Sequence, residues 1–176
     1  KLDDSITSFL VSEAKNSKES LIRTEAVKLL GKTKESKYSE LYTALLNDRS
    51  YSVIDAAAVA LGRAKLPQTA ATGKTKKNTK SKAPTAFDAL VKLTKTDSWR
   101  GKIKMSGLSG LAELGDSRAF DIAMAFINDK SQDLETRNAA LEVIGATGKG
   151  NPKAFPIIFE AFKKSLQNKE FNGLIT

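Results

Sequence analysis

The chain contains no cysteine and no histidine among its 176 residues. Disulfide bonds and zinc sites built on these residues are therefore excluded within it. Cysteine nucleophiles and Ser-His-Asp triads are excluded for the same reason. Only carboxylate, lysine, hydroxyl and tyrosine chemistry remains open, and no constellation of such residues stands out. We therefore predict no catalytic residue, no cofactor-binding residue and no metal ligand in this chain.

Aromatic residues are also scarce, at 7% of the chain, whereas alanine and leucine are common. This composition favours helices, because strands are enriched in aromatic and β-branched residues. The hydrophobic content of 40% suffices for a core. No apolar run approaches the roughly 18 residues that span a bilayer, so no membrane segment is predicted. We predict a single all-α domain over residues 1–176, and we expect it to be a fragment of a larger protein.

Acidic residues are absent from the stretch "TAATGKTKKNTKSKAPT" at residues 69–85. The stretch holds five lysines, which are Lys74, Lys76, Lys77, Lys80 and Lys82. They account for five of the nine net positive charges, so the basic character of the chain is local.

The positive organising feature is an internal repeat. Four segments carry a large apolar residue followed by glycine at or near their ends, namely "LIRTEAVKLLGK", "SVIDAAAVALGR", "KMSGLSGLAELGD" and "ETRNAALEVIGA". Their glycines are Gly31, Gly62, Gly115 and Gly145, separated by 31, 53 and 30 residues. The middle interval exceeds the first by 22 residues. The lysine-rich stretch is therefore an insertion, at about residues 66–84, into one copy of a repeat of about thirty residues.

The repeat columns predict a buried helix face. A small residue stands five positions before each glycine and a large apolar one stands one position before it. These pairs are Ala26 and Leu30, Ala57 and Leu61, Gly110 and Leu114, and Ala140 and Ile144. Residues three or four apart share a helix face, so we predict that this stripe is the repeat core and that its small residues let a neighbouring helix approach. The terminal glycines suit left-handed helix C-caps.

A second amphipathic helix is predicted after each glycine. The apolar faces are Tyr38, Leu41 and Leu45; Phe87, Leu90 and Leu93; Phe120, Ala123 and Phe126; and Phe155, Ile158, Phe159, Phe162 and Leu166. An earlier copy contributes Ile6, Phe9, Leu10 and Ala14. Paired helices of this length predict an α-solenoid of about four hairpins with a right-handed superhelix.

The pattern resembles HEAT repeats. Arg23 and Arg137 stand eight residues before their glycines, where a HEAT repeat typically carries arginine. Asp48 stands fourteen before its glycine, another familiar position, although Ser17 and Ser131 replace the acid in two copies. We expect the two arginines to tie neighbouring repeats together. The third copy departs from the pattern, because "TDSWRGKIKM" is predicted to lengthen its helix, with Asp97 or Ser98 as the N-cap.

A narrower resemblance covers residues 1–65 and 84–176. The stretches "NDRSYSVIDAAAVALGRAK", "DSWRGKIKMSGLSGLAELGDSRAFDIA" and "LETRNAALEVIGATGKGN" resemble the C-terminal HEAT-like domain of bacterial aminopeptidase N-type zinc metallopeptidases. The resemblance implies a parent enzyme whose upstream domain binds zinc through H-E-x-x-H. That motif is absent here, so no catalytic or metal residue is carried over. In that family the helical domain flanks or closes over the catalytic domain and can limit substrate access or support assembly.

The insertion has three interpretations. Gly73-Lys74-Thr75 resembles the end of a nucleotide-binding P-loop, but Gln68 occupies the position that requires the first glycine. A basic arm for nucleic acid is the alternative function, with the five lysines as its contacts, although no aromatic residue is present for base stacking. We favour a mobile surface insertion, because five like charges repel one another and no large apolar residue anchors it. Trypsin is then expected to cut first between Lys74 and Lys82.

Trp99, beside Asp97 and Arg100, raises a different hypothesis. Some HEAT-like DNA glycosylases use tryptophan, aspartate and arginine on a concave face. The interpretation that we favour is a capping aspartate and a tryptophan packed at a helix start.

The sequence thus predicts a non-catalytic scaffold that contacts the upstream catalytic domain of its own chain or other proteins. The rival functions are a nucleic-acid-binding solenoid and a stand-alone enzyme.

Overall fold

The structure is a computed structural model that describes residues 3–64 and 85–167. The lysine-rich insertion and its five lysines lie outside the described residues, as do residues 168–176. The predicted mobility of the insertion and its contacts therefore stay predictions.

The described residues form helices and no strand, which confirms the all-α prediction for that part of the chain. The helices are α1 (Asp4–Asn16), α2 (Ser20–Lys32), α3 (Ser39–Leu45), α4 (Tyr51–Arg63), α5 (Ala86–Thr94), α6 (Lys102–Leu114), α7 (Ala119–Asn128), α8 (Leu134–Thr147) and α9 (Ala154–Gln167). Short 3-10 turns at Ser36–Tyr38 and Trp99–Gly101 precede α3 and α6. None of these described helices is both long and apolar enough to cross a membrane.

Side-chain caps fix the starts of three helices. Asp3 accepts a hydrogen bond from the Ser5 N–H at α1, and Asp133 accepts one from the Thr136 N–H at α8. Thr85 and Asp88 form a reciprocal capping box at the start of α5. Each cap satisfies an N–H group that has no partner within its own helix.

The even-numbered helices pack on one another in sequence order, α2 on α4, α4 on α6 and α6 on α8. Each odd-numbered helix from α1 to α7 packs on the even-numbered helix that follows it. Helices on the two sides of the insertion are therefore in direct contact, since α4 packs on α5 and α6. One continuous hydrophobic cluster runs through these contacts.

The residues predicted as the repeat core lie on the even-numbered helices. Seven of them are buried, namely Ala26, Leu30, Ala57, Leu61, Gly110, Ala140 and Ile144. Leu114 is only half-buried and packs at the edge of the core. It is the last residue of α6, where the helix turns away at Gly115.

The prediction of glycine C-caps is wrong in three of the four copies. Only Gly115 has a left-handed backbone, with φ of 66° at the end of α6. Gly31, Gly62 and Gly145 lie inside helices. A Cβ on Gly31 would meet the Ala60 Cβ at 2.8 Å, and a Cβ on Gly62 would collide with the Gly110 carbonyl oxygen. The first two glycines therefore permit close helix approach.

The predicted apolar faces of the terminal helices are only partly buried. In α1, Leu10 and Ala14 are buried, whereas Ile6 and Phe9 are exposed. In α9, the predicted face is exposed at Phe155, Ile158, Phe159 and Phe162. Helix α9 packs on α8 through a different side, where Ala154 is buried and Ile157 is half-buried.

Candidate protein-contact surfaces

Arg23 joins two adjacent repeats through a buried ion pair. Its Nε and Nη2 donate to the two carboxylate oxygens of Asp48 at 3.0 and 2.9 Å. Its Nη1 donates to the carbonyl oxygens of Ser17 and Lys18 at 2.9 and 3.1 Å. Arg23 lies on α2 and Asp48 precedes α4, so the guanidinium holds the loop before α2 against the loop before α4. The expectation that Arg23 ties repeats together is confirmed.

Arg137 occupies the same repeat column as Arg23 but makes no equivalent tie. Its Nε is buried and has no hydrogen-bond partner in the described residues. The partner of Arg23 stands three residues before α4, which is the next even-numbered helix. The described residues contain no even-numbered helix after α8, so they provide no corresponding carboxylate for Arg137.

The segment around Trp99 differs from both interpretations of its sequence. It does not lengthen α6, because Arg100 and Gly101 adopt left-handed backbones with φ of 50° and 64°. Of the two predicted N-cap residues, Asp97 does not cap the helix, whereas Ser98 is the N-cap of the 3-10 turn that leads into α6. The Asp97 side chain pairs with Lys104 at 2.8 Å, whereas Ser98 accepts a hydrogen bond from the Ile103 N–H. This pairing holds the pKa of Asp97 below its ordinary value.

Trp99 is not packed at a helix start. Its side chain is 65% exposed, and the guanidinium of Arg100 lies 5.4 Å from the centre of its ring. Arg100 also pairs with Glu135 at 3.0 Å. The packed interpretation is therefore wrong, because the left-handed turn carries Trp99 away from the core. Asp97 and Arg100 are both already paired with charged side chains, so this cluster presents no free acid or base.

Helix α2 exposes apolar side chains at positions that are mostly buried in the later even-numbered helices. Ile22 stands nine residues before its repeat glycine and is 45% exposed. The corresponding residues of the three later copies are buried, and they are Val53, Ser106 and Thr136. Leu29 stands two residues before the glycine and is 42% exposed. In that column Ala60 and Val143 are buried, whereas Glu113 is exposed and pairs with Arg63 of α4. These columns face the preceding helix of the row, and α2 has none in the described residues.

Further apolar side chains are exposed on α1 and α2. Leu21 is exposed on α2, and Ile6 and Phe9 are exposed on α1, which packs on α2. We call Ile6, Phe9, Leu21, Ile22 and Leu29 the N-terminal apolar surface. The Glu25–Lys28 ion pair lies on the exposed side of α2, with an Nζ–Oε1 distance of 2.8 Å. An apolar surface with a charged border is typical of a protein contact site.

The sequence did not single out Ile22, Leu21 or Leu29. An apolar residue in a buried column looks like core, and its exposure depends on whether a preceding helix is present. One signal in the sequence could have indicated this exposure. Ala60 is small where two helices are in close contact, whereas Leu29 in the same column is too large for such a contact.

The described residues contain no group of three acidic, histidine or cysteine side chains that could hold a metal ion. Comparison with known proteins found no family model and no curated protein sequence that matches this chain.

Proposed function

We propose that the chain is a non-catalytic HEAT-like domain that works as a scaffold for protein contacts. In this proposal it is the C-terminal domain of a bacterial zinc aminopeptidase, with the zinc bound by an upstream domain. The row of helices is then a right-handed α-solenoid, in which each unit buries its apolar face on its neighbours. Contact with the catalytic domain, and restriction of substrate access to it, is the expected role.

The N-terminal apolar surface is the observation that carries this proposal. An isolated solenoid requires a polar face on its terminal repeat for solubility. Here the first repeat carries Ile22 and Leu29 in columns that are buried at Val53 and Ala60. Protein contact removes such side chains from water, at about 25 cal/mol for each Å² of apolar area. The surface is therefore suited to a neighbouring domain that packs on α1 and α2.

The sequence upstream of this chain in its gene tests the peptidase assignment. An H-E-x-x-H motif followed by a further glutamate is expected, since these residues form the zinc site of the resembled family. A coding sequence without this motif would refute the assignment to a zinc aminopeptidase.

Charge substitution tests the contact surface. Ile22→Lys combined with Leu29→Lys should leave the isolated chain folded, because both side chains are exposed. In the parent protein this double substitution should weaken the contact between this domain and the upstream domain. The two domains should then unfold in separate transitions, which calorimetry and limited proteolysis measure. Tyr51→Lys is a matched control at an exposed apolar residue on α4. If Tyr51→Lys separated the two unfolding transitions as much as the double substitution does, the N-terminal apolar surface would not be the contact with the upstream domain.

A further inference from the structure

Helix α8, at the C-terminal end of the row, also leaves a residue partly exposed in a sequence column that is buried in the other copies. This column lies on the side of the helix opposite to the columns of Ile22 and Leu29. The residue four positions before the repeat glycine is fully buried in the first three copies, at Val27, Ala58 and Leu111. In α8 the corresponding Leu141 is only half-buried. This column faces the following even-numbered helix, because the Ala58 carbonyl contacts Gly110 of α6. Helix α8 therefore presents the side on which a following helix packs.

Gly145 gives the same result at the position of closest approach. Gly31 and Gly62 lie directly against Ala60 and Gly110 of the next even-numbered helix. Gly145 occupies the same column within α8, yet a Cβ built on it meets no atom within 4 Å. Gly115 is open as well, but it lies beyond the last residue of α6 with a left-handed backbone, so it is not a position inside the helix. Leu134, at the start of α8, is exposed, but so is Tyr51 at the corresponding position of the interior helix α4, so this position does not mark the end of the row. A glycine inside a helix is unfavourable by about 1 kcal/mol relative to alanine, and at Gly31 and Gly62 the close contact accounts for it.

Helix α9 is exposed on the face that, in the earlier odd-numbered helices, packs on the next helix in sequence. The three helices α5, α7 and α9 each begin with Ala-Phe, at Ala86, Ala119 and Ala154, and all three alanines are buried. Phe120 of α7 is 5% exposed, whereas Phe155 of α9 is 71% exposed. Three residues later, Leu90 and Ala123 are fully buried, whereas Ile158 is 40% exposed. The described residues contain no even-numbered helix that follows α9.

We propose that α8 and α9 together form the docking site of one further helix, with an aspartate or glutamate about three residues before its first turn. Leu141 and Gly145 of α8 form one wall of this site. Phe155, Ile158 and Phe159 of α9 form the other. The carboxylate pairs with Arg137, as Asp48 pairs with Arg23. The partner helix belongs to the same polypeptide, because each odd-numbered helix packs on the helix that follows it in sequence.

Arg137 gives this site its chemical specificity. Its Nε is buried and has no partner in the described residues, and a buried donor without a partner is costly. Arg23 shows what an arginine in this column binds, namely both oxygens of a carboxylate. An incoming helix with a carboxylate at this place is therefore favoured over one without it. The docking site presupposes the repeated packing of the proposed function, but it is independent of the peptidase assignment.

A fusion of the full chain to a second copy of its own α4 tests the proposal. A copy of residues 46–64 is attached after Thr176, so that it carries Asp48 three residues before the helix. The intact chain and a fusion with a scrambled copy are the references. The native copy should add helical circular dichroism and raise the melting temperature by roughly 5 °C over the scrambled copy. Hydrogen exchange at α8 and α9 should slow with the native copy alone.

Two substitutions test the pairing in a double-mutant cycle. Asp48→Asn within the copy should remove much of the rise in melting temperature, and so should Arg137→Met in the host. The two together should cost little more than either alone. Arg137→Met is first compared with the unfused chain to establish that it folds. A native copy that stabilises no more than the scrambled one overturns the docking site, and additive effects of the two substitutions overturn the Arg137 pairing. Neither result bears on the Ile22 and Leu29 substitutions at the opposite end.

Discussion

At the scale of single residues, the repeat glycines have different roles in one sequence column. Gly62 lies against the backbone of α6, Gly115 ends a helix with positive φ, and Gly145 faces open space. A shared position in a repeat therefore fixes the place of a residue on its helix, whereas the neighbouring helix determines its role.

Alanine substitution should separate these roles. Gly62→Ala places a methyl group against the Gly110 carbonyl, a backbone group that cannot move aside, so we expect a loss of about 1–3 kcal/mol. Gly145→Ala adds a methyl group in open space within a helix, so it should be neutral or stabilising by up to about 1 kcal/mol. Urea denaturation of the two variants measures the difference. Equal free energies of unfolding would show that α4 and α6 are not in close contact at Gly62.

The Asp48 carboxylate should make the free energy of unfolding depend on acid pH. Burial raises the pKa of this carboxyl, but hydrogen bonds from Arg23 and the Ser50 N–H outweigh burial and hold the pKa below 3.8. Because the folded pKa lies below the unfolded one, the stabilisation is complete above about pH 4 and is lost as the pH falls through the folded pKa.

Asp48→Asn should therefore cost on the order of 3 kcal/mol at neutral pH, because it leaves a buried guanidinium without its carboxylate. The variant should then lose less further stability than the parent chain between about pH 5 and pH 2. Urea unfolding at a series of pH values measures both effects. Glu25→Gln, in the exposed pair with Lys28, is the matched control and should cost less than about 1 kcal/mol. A control as costly as Asp48→Asn would contradict the special role of the buried pair.

At the scale of elements, α4 combines a high alanine content with extensive burial. Helix α4 lies between α2 and α6 and buries eight of its thirteen residues. Five of those eight are alanine or glycine, and α4 can therefore be close to a helix on either side.

Ala57→Leu should overpack this helix. Ala57 is fully buried in the middle of α4, and three additional carbon atoms cannot be accommodated without moving α2 or α6. We expect a loss of about 1–3 kcal/mol in the free energy of unfolding. Ala125→Leu is the control, because Ala125 is exposed on α7. An unchanged melting temperature for Ala57→Leu would show that its column does not face a neighbouring helix.

At the scale of the whole molecule, apolar side chains are exposed at both ends of the helix row. Ile22 and Leu29 face outward at α2, and Phe155 and Ile158 face outward at α9. The columns of Ile22 and Ile158 are buried in the other copies, at Val53, Ser106 and Thr136 and at Leu90 and Ala123. These exposed side chains are the observations on which the two proposed contact sites depend.

The chain by itself should bind no zinc. It has no cysteine or histidine, and the carboxylates of the described residues form no group of three. Equilibrium dialysis against zinc, followed by metal analysis, should leave no stoichiometric metal on the chain. Retention of about one zinc ion for each chain, removable by a chelator, would contradict this and would reopen the assignment of catalysis to another domain.

The sequence by itself determined that the described part of the chain is helical, and it identified the buried faces of the interior helices but not those of α1 and α9. The columns around Ala57 and Leu61 indicated buried positions, because spacing of three and four residues defines one side of a helix. Arg23 was correctly expected to tie repeats together, whereas Arg137, for which the same tie was expected, has no partner for its Nε in the described residues.

The tertiary structure alone decided which members of these columns are covered. A sequence column states which side of a helix meets a neighbour, but it contains no information on whether that neighbour is present. Ile22 and Leu141 lie in buried columns and are nevertheless accessible, because they stand at the two ends of the row. The position of Trp99 was also beyond the sequence. The left-handed backbones of Arg100 and Gly101 redirect the chain there, and arginine adopts that backbone only where its surroundings impose it.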